Sequence, residues 1–165
     1  MKNDVKIRSA IMGDMYDINR IYNESVMQST SSFDLEPVPL EDRQRWFLTH
    51  GDAYPIIVAV IENKIVGWGS LSCFALKQGY RFTVEDSIYI DGEYKRRGIG
   101  TLILENLIES AKKRKYHTIV AIISSENDIS IKFHEKMGFQ ISGCLREVGF
   151  KFDRWLDVVY MQYFL

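Results

Sequence analysis

Several residue types that carry chemistry or mark special environments are scarce in this chain. Cys73 and Cys144 are the two cysteines among 165 residues, and they lie far apart without the spacing of a zinc site. We expect reduced thiols with no chemical role, and no metal. The longest apolar run, residues 56–61, has the length of a strand rather than of a membrane span, and residues 1–8 lack the apolar core of a signal peptide. These absences predict a cytoplasmic protein that does not enter the membrane.

An excess of charge of one sign is also missing. The 21 basic and 22 acidic residues give a formal net charge of -1, so we expect no pervasive basic surface and no nucleic-acid partner. The hydrophobic fraction of 46% and the charged fraction of 26% are typical of globular domains, and 165 residues suffice to bury a sizeable core. Because no internal repeat or linker interrupts the chain, we predict a single domain over residues 1–165.

The hydrophobic periodicity predicts a mixed α/β protein with the element order β-α-α-β-β-β-α-β-α-β-β. The prolines of residues 30–39 separate the first two helices. We expect Trp46, Trp68 and Trp155 first of all in the core. The predicted elements are a strand at 5–9, helices at 14–29 and 40–50, a hairpin of 56–61 and 65–74, a strand at 84–90, a helix at 99–115, a strand at 118–124, a helix at 127–136, and a hairpin of 139–150 and 155–165.

The most informative segment, residues 91–101, reads Asp-Gly-Glu-Tyr-Lys-Arg-Arg-Gly-Ile-Gly-Thr and joins a predicted strand to a predicted helix. Glycine at positions 98 and 100 removes side chains where a ligand must approach the backbone. The amides of residues 96–101 can then face a phosphate at the positive end of the helix dipole. Arg96 and Arg97 can add charge-assisted contacts. The segment therefore predicts a phosphate cradle.

Two better-known phosphate motifs do not fit this segment. A dinucleotide-binding turn needs a small residue three places after its second glycine, where Ile103 stands, and a P-loop needs Gly-Lys-Ser/Thr. An ordinary loop whose glycines relax a strand-to-helix turn remains the alternative. The basic pair directly before the glycines favours a pyrophosphate site.

The element order and two motifs together resemble the GNAT N-acetyltransferase superfamily. The cradle Lys95-Arg-Arg-Gly-Ile-Gly100 is similar to its Arg/Gln-x-x-Gly-x-Gly/Ala signature, with lysine in the first place. Residues 127–139, Asn-Asp-Ile-Ser-Ile-Lys-Phe-His-Glu-Lys-Met-Gly-Phe, resemble its second signature, with histidine at 134 where tyrosine is common. Thr83-Val-Glu-Asp-Ser-Ile-Tyr89, residues 36–47 and residues 149–158 resemble more narrowly the phosphinothricin and methionine sulfoximine acetyltransferase family.

This resemblance implies the GNAT fold: a mixed, mostly antiparallel sheet of about seven strands flanked by four helices, with acetyl-CoA in a cleft between the splayed fourth and fifth strands. Unpaired strand edges there offer donors and acceptors to an amide-bearing ligand. Asn127 is either a helix cap or a cofactor contact, since asparagine caps helices well. The cofactor-binding residues implied by the resemblance are Ile88, Tyr89, Ile90, Arg96, Arg97, Gly98, Ile99, Gly100, Thr101 and Asn127.

Two residues stand where the family carries acid–base groups. Glu85 coincides with the family's catalytic acid, and apolar neighbours can raise its pKa toward useful basicity. Taken without the resemblance, Glu85 is better explained as a solvent-facing strand carboxylate paired with Arg81 or a lysine. His134 stands where many relatives place a tyrosine that protonates the departing CoA thiolate, and imidazole can do this near neutral pH. A packed or capping histidine is the alternative.

The resemblance also implies a small amine acceptor that bears an anionic group, and a homodimer that completes the pocket. The methionine sulfoximine enzymes carry an arginine suited to binding a carboxylate where this chain has Ala75. Arg81, Lys77 or a residue of a second subunit can supply the cation instead. An acetyltransferase for peptides or other amines, and a non-catalytic acyl-CoA-binding module, are the alternative functions. The expected acceptor-binding residues are Ala75, Leu76, Lys77, Arg81, Glu85, Asp86 and Ser87.

Overall fold

A computed structural model describes residues 5–165. Residues 1–4, which belong to the segment 1–8 that lacks a signal-peptide core, lie outside the described part. The α-helices are α1 (Met15–Gln28), α2 (Leu40–His50), α3 (Ile99–Lys113) and α4 (Asp128–Lys136). The strands are β1 (Lys6–Ser9), β2 (Ile56–Ile61), β3 (Lys64–Cys73), β4 (Thr83–Ile90), β5 (Thr118–Ser124), β6 (Gln140–Lys151) and β7 (Arg154–Phe164). Short 3₁₀ turns at Met12–Asp14, Gln78–Tyr80 and Gly92–Tyr94 were not predicted.

The seven strands form one sheet in the order β1-β2-β3-β4-β5-β7-β6. Only the β4–β5 pair is parallel among these strands, and the others are antiparallel. The expected mixed, mostly antiparallel sheet with four flanking helices is therefore confirmed.

The parallel pair at the centre of the sheet separates after three residues. Thr83–Glu85 lie opposite residues 118–120, whereas β4 continues to Ile90 beside β3 and β5 continues to Ser124 beside β7. Beyond Glu85, the facing edges of β4 and β5 therefore have no strand partner. The expected splay between the fourth and fifth strands is present, and it opens a cleft in the middle of the sheet.

Helices cover both faces of the sheet. The larger core lies under α3, and a second core places Met15, Ile18 and Ile21 of α1 against Trp68. The α3 side is packed so closely that a Cβ at Gly69 would lie 2.5 Å from Ile103 Cγ2. This close approach anchors the helix whose start forms the predicted cradle.

Two hairpin turns are tighter than the sequence indicated. Glu62 and Asn63 have φ of 48° and 67°, and Phe152 and Asp153 have φ of 52° and 57°, as in two-residue turns that match the twist of the flanking strands. The flanking strands therefore extend to Lys64 on one side and to Lys151 and Arg154 on the other.

The prediction that Trp155 lies in the core is wrong. Its side chain is 61% exposed, because the β6–β7 hairpin lies at the edge of the sheet and its outer surface is uncovered in the single chain. Trp68 is buried as expected. Cys73 and Cys144 are both free and exposed. Within residues 5–165, no helix is both long and apolar enough to cross a bilayer.

Candidate active site

A cavity of about 780 Å³ follows the splay between β4 and β5 and reaches both faces of the sheet. Its walls come from β3, β4, β5, the start of α3 and the first turns of α4, together with α1, α2 and the loop between them. Ile88, Tyr89 and Ile90, which follow the last parallel pair of β4, line it as the sequence predicted. The splayed strands thus place unpaired backbone next to a ligand-sized space.

The predicted phosphate cradle forms one end of this cavity. Arg96 and Gly98 have φ of 62° and 79°, so the chain turns sharply through left-handed conformations before α3 begins at Ile99. A Cβ at Gly98 would meet nothing within 4 Å, and one at Gly100 would lie 3.6 Å from the Phe133 ring. The space above both glycines is therefore free for a ligand at a helix N-terminus, which fits a pyrophosphate.

The side chains of the two cradle arginines make different contacts. Arg96 lines the cavity together with Lys95, Ile99 and Thr101. Arg97 instead donates through Nη2 to the carbonyl oxygen of Glu93 at 3.0 Å, and its guanidinium carbon lies 4.9 Å from the centre of the Tyr94 ring. The structure therefore brings Arg96, but not Arg97, to the expected phosphate site.

Asn127 performs the capping role and also borders the cavity. Its Oδ1 accepts a hydrogen bond from the Ser130 amide at 3.1 Å, and its Nδ2 donates to Ser31 Oγ at 3.2 Å. The cap fixes the start of α4 and links it to the loop after α1. The side-chain amide is thus already bonded at both ends in this structure.

Glu85 lies on the cavity wall with its carboxylate mostly buried. None of the basic groups described for residues 5–165 forms an ion pair with it, so the alternative pairing with Arg81 or a lysine is not formed. Burial, and secondarily the neighbouring charge of Asp86, raises the pKa of Glu85 to about 7. A carboxyl group with this pKa can accept a proton near neutral pH.

Cross-strand pairs place a row of polar side chains beside Glu85. Ser72 lies opposite Glu85, Ser70 opposite Ser87, and Trp68 opposite Tyr89. Because alternate residues of a strand share a face, these six side chains line the α1/α2 face of the sheet. All of them border the cavity, so the acceptor side of the cleft is a polar and aromatic surface with Glu85 at one end.

Asp86 and His134 meet on the opposite face. Asp86 Oδ2 lies 3.1 Å from His134 Nε2, and His134 Nδ1 lies 2.8 Å from the Ser130 carbonyl oxygen. Because a carbonyl only accepts, Nδ1 carries the proton in the contact with Ser130, and Nε2 faces the Asp86 carboxyl group. Burial alone would lower the pKa of His134, but the hydrogen bond and charge of Asp86 outweigh it and the pKa is raised.

The segment after β3 does not reach this cavity. Ala75, Leu76 and Lys77 are absent from its lining, and the Leu76 side chain is 98% exposed. Arg81 donates to the Gln78 carbonyl oxygen at 3.2 Å and stacks on Phe82, away from Glu85. Of the predicted acceptor-binding residues, the structure brings Glu85, Asp86 and Ser87 to the cavity and leaves the remaining four outside it.

Sequence reasoning missed a group of residues on the acceptor side of the cavity. Arg43 of α2 and the serines at positions 70 and 72 line it. Two signals could have found them: Arg43 lies three and four residues before Trp46 and Phe47, on the apolar face of its helix, and Trp68-Gly-Ser-Leu-Ser72 alternates in a central strand.

The comparisons with known proteins agree with this geometry. Residues 15–139 match the family model described as "Acetyltransferase (GNAT) family". The chain belongs to the GNAT acetyltransferase family. It is an acetyl-CoA-dependent N-acetyltransferase, and the GNAT fold expected from its motifs is confirmed.

Individual relatives cover nearly the whole chain. It is 40% identical over 158 residues to an L-methionine sulfoximine/L-methionine sulfone acetyltransferase of Pseudomonas aeruginosa, covering 94% of this chain and 92% of the relative. It is 30% identical over 163 residues to a phosphinothricin N-acetyltransferase of Streptomyces coelicolor, covering 96% and 95%. A phosphinothricin acetyltransferase of Sinorhizobium meliloti, solved in complex with acetyl-CoA, superimposes with a TM-score of 0.94 at 33% identity, covering 98% and 88%.

Proposed function

We propose that this enzyme acetylates the amine of a small amino-acid-like acceptor of the methionine sulfoximine or phosphinothricin type. The observation that carries this proposal is the isolated, largely buried Glu85 carboxyl group, which has a pKa of about 7 and stands at the end of a polar pocket. The relatives named for acetylating methionine sulfoximine, methionine sulfone and phosphinothricin support the acceptor class.

Glu85 is the general base in this proposal. An ammonium group has no lone pair, so the acceptor must lose a proton, directly or through water, before its nitrogen can attack the acetyl carbonyl. Acetyl-CoA supplies the thioester from which the acetyl group is transferred by this direct attack. Burial keeps the pKa of Glu85 near that of a useful base, and no cation within residues 5–165 pairs with its proton-accepting oxygens.

The residues that hold acetyl-CoA in this proposal follow the cavity. Backbone groups of residues 96–101 bind the pyrophosphate, with Arg96 and Lys95 as the adjacent charges, and the free edge of Ile88–Ile90 binds the pantetheine amides.

For His134, the paired ring nitrogens favour the structural role over proton donation to the departing thiolate, because donation requires breaking a bond to Asp86 or Ser130.

We further propose that two copies associate through the exposed edge of the sheet. Strand β6 pairs with β7 on one side only, and an edge strand that presents apolar side chains is suited to association. In a dimer, the segment of residues 75–81, with its cations Lys77 and Arg81, would be free to border the partner's pocket. The exposed large apolar residues of the hairpin are Ile141, Leu145, Val148, Phe150, Phe152, Trp155 and Phe164.

The test of the acetyltransferase proposal is a thiol-release assay with acetyl-CoA and separate acceptors. The panel comprises L-methionine sulfoximine, L-methionine sulfone, phosphinothricin, a polyamine and a peptide with a free N-terminus. We expect transfer to the amino-acid analogues, and in Glu85→Gln a loss of turnover of roughly a hundredfold with acetyl-CoA affinity retained. Efficient transfer to polyamine or peptide alone would reject the acceptor class, and full turnover in Glu85→Gln would reject the base.

A further inference from the structure

Arg43 is a buried cation without an acidic partner among residues 5–165. Its side chain lies on the inner face of α2, and the residue is only 6% exposed. Its guanidinium donates from Nε to Asn19 Oδ1 at 3.3 Å. Asp34, an acidic residue that influences it, accepts instead from Tyr22 Oη at 2.6 Å. Among the described residues, the Arg43 guanidinium is therefore bonded to Asn19 and influenced by the neighbouring Tyr22 hydroxyl, and no carboxylate accepts a hydrogen bond from it.

Aromatic rings hold this guanidinium in place. Its carbon lies 4.3 Å from the centre of the Tyr22 ring, 4.7 Å from that of Trp46 and 5.7 Å from that of Trp68. Such contacts stabilise the cation and fix its orientation, but they satisfy none of its in-plane N–H donors. Burial lowers the pKa of Arg43, yet arginine stays protonated in proteins. The fork of donors borders the cavity and is oriented in advance.

Two more donors of the cavity wall are buried and unpartnered. Trp68 Nε1 and Ser70 Oγ have no hydrogen-bond partner among the described residues, although these residues are 2% and 1% exposed. Leaving such a group unpaired is unfavourable, and buried polar atoms in native proteins are nearly always bonded. Trp68 and Ser70 alternate on one face of β3, and both line the same cavity as Arg43.

We propose that Arg43, the Trp68 indole N–H and the Ser70 hydroxyl form the subsite that binds the acceptor's carboxylate. A carboxylate matches the planar fork of arginine in bidentate fashion and has lone pairs left for two further donors. This assignment rests on the proposed function, because it takes the acceptor to be an amino acid. It places the anion-binding cation in the chain's own pocket rather than at Arg81.

The strand register supports this arrangement. Ser70 lies two residues from Ser72, which is the cross-strand neighbour of Glu85. Two residues along a strand span about 7 Å, so Glu85 and the Ser70 end of the subsite are neighbours on one sheet face. An α-amino acid lying along this face presents its amine toward Glu85 while its carboxylate faces Arg43. The acceptor's orientation in the cleft is thereby defined.

The first test compares acceptors with and without a carboxylate. L-Methionine sulfone is paired with methylsulfonylpropylamine, its decarboxylated form, in the parent, in Arg43→Met and in Arg45→Met, an exposed arginine of the same helix. We expect Arg43→Met to lower kcat/KM for methionine sulfone roughly tenfold to a hundredfold, the scale of a charge-assisted contact, with much less effect on the amine. Arg45→Met should leave both unchanged. Equal losses for both acceptors in Arg43→Met would overturn the subsite.

The second test does not depend on turnover. Trp46, Trp68 and Trp155 give three indole N–H signals in an NMR spectrum, assignable by Trp→Phe variants. Titration of the CoA-loaded protein with propionate or L-methionine sulfone should move the Trp68 signal in the parent and in Arg45→Met, but not in Arg43→Met. If Arg43→Met does not fold, Arg43→Lys, which keeps the charge without the fork, should show a weaker response.

The outcomes separate this subsite from the proposed function. If propionate moves the Trp68 signal but no amino-acid analogue is acetylated, the acceptor class fails and the subsite stands. If neither carboxylate moves the Trp68 signal in the folded parent at tens of millimolar, the subsite is wrong whatever the enzyme acetylates.

Discussion

Glu85 and Asp86 are adjacent in the sequence, yet their carboxylates occupy opposite faces of the sheet. Glu85 shares the α1/α2 face with Ser72, whereas Asp86 reaches His134 of α4 at 3.1 Å. The alternation of a β-strand separates the two chemically similar groups. Among residues 5–165, the Glu85 carboxyl has no cationic partner and has a raised pKa, while the Asp86 carboxyl is hydrogen-bonded to an imidazole. The same strand thus places one carboxyl group in the pocket and anchors α4 with the other.

The raised pKa of Glu85 predicts that this residue destabilises the fold at neutral and higher pH. Its folded pKa of about 7 exceeds the ordinary value of 4.5, so stability falls as the pH rises from about 4.5 to about 7. This difference in the pKa of Glu85 between the folded and unfolded chain corresponds to at most about 3.4 kcal/mol. We therefore expect Glu85→Gln to raise the free energy of unfolding at pH 8 but not at pH 4, as measured by urea denaturation. Glu105→Gln, an exposed glutamate on α3, is the control, and equal stability of Glu85→Gln and the parent at pH 8 would contradict the raised pKa.

The pairing of His134 predicts a specific titration change. Without the charge and hydrogen bond of Asp86, burial is the largest remaining influence, so Asp86→Asn should lower the pKa of His134 from above 6.5 to below it. The three histidines of the chain make the NMR titration of imidazole C–H signals tractable. Asp128→Asn, an exposed aspartate at the start of α4, should leave the pKa unchanged.

Turnover distinguishes the two roles of His134. A structural histidine predicts that His134→Phe loses activity to a similar degree across the pH range, whereas an acid predicts a loss at low pH that disappears at high pH. A profile that converges with the parent at high pH would restore the catalytic role and contradict our proposal.

The arrangement of elements and the cradle could be predicted because both depend on local signals. Hydrophobic period marks each helix and strand, and glycine at 98 and 100 after a basic pair marks the turn that opens α3. The sharpness of the turns at 62–63 and 152–153 was not predicted, since non-glycine residues there adopt positive φ. The directions of side chains were not predicted either. Arg96 lines the cavity, whereas the neighbouring Arg97 bonds to the carbonyl oxygen of Glu93.

The composition of the proposed acceptor pocket could not be predicted from local sequence signals, because segments far apart in the sequence form it. Arg43 of α2, Trp68 of β3 and Glu85 of β4 meet only after the strands pair in one particular register. The Asp86–His134 contact likewise joins residues 48 positions apart. Sequence spacing gives no information on such contacts, although alternation in β3 does indicate which side chains share a face.

The cradle assignment predicts a graded response at Gly100. A Cβ there would lie 3.6 Å from Phe133, an ordinary contact, so Gly100→Ala should fold normally. The branched side chain of Gly100→Val fills the space a pyrophosphate needs, and we expect calorimetry to show CoA affinity falling at least tenfold, with a smaller loss for alanine. Unchanged CoA affinity in a folded Gly100→Val would show that phosphate binds elsewhere.

The exposed edge of the sheet predicts a dimer that a single charge can disrupt. Leu145 is 48% exposed on β6, so an aspartate at this position stays solvated in the single chain and should change its stability little. Buried against a second copy, the same carboxylate would lose its hydration and oppose association. Sedimentation should therefore give twice the 19.2 kDa chain mass for the parent and a single chain mass for Leu145→Asp. Met27→Asp, at a residue 55% exposed on α1, serves as the control and should remain dimeric.

If residues 75–81 border the partner's pocket, Leu145→Asp should also raise the KM for the acceptor while leaving CoA affinity intact. A parent that sediments as a single chain, or a Leu145→Asp variant that still pairs, would exclude this edge as the interface.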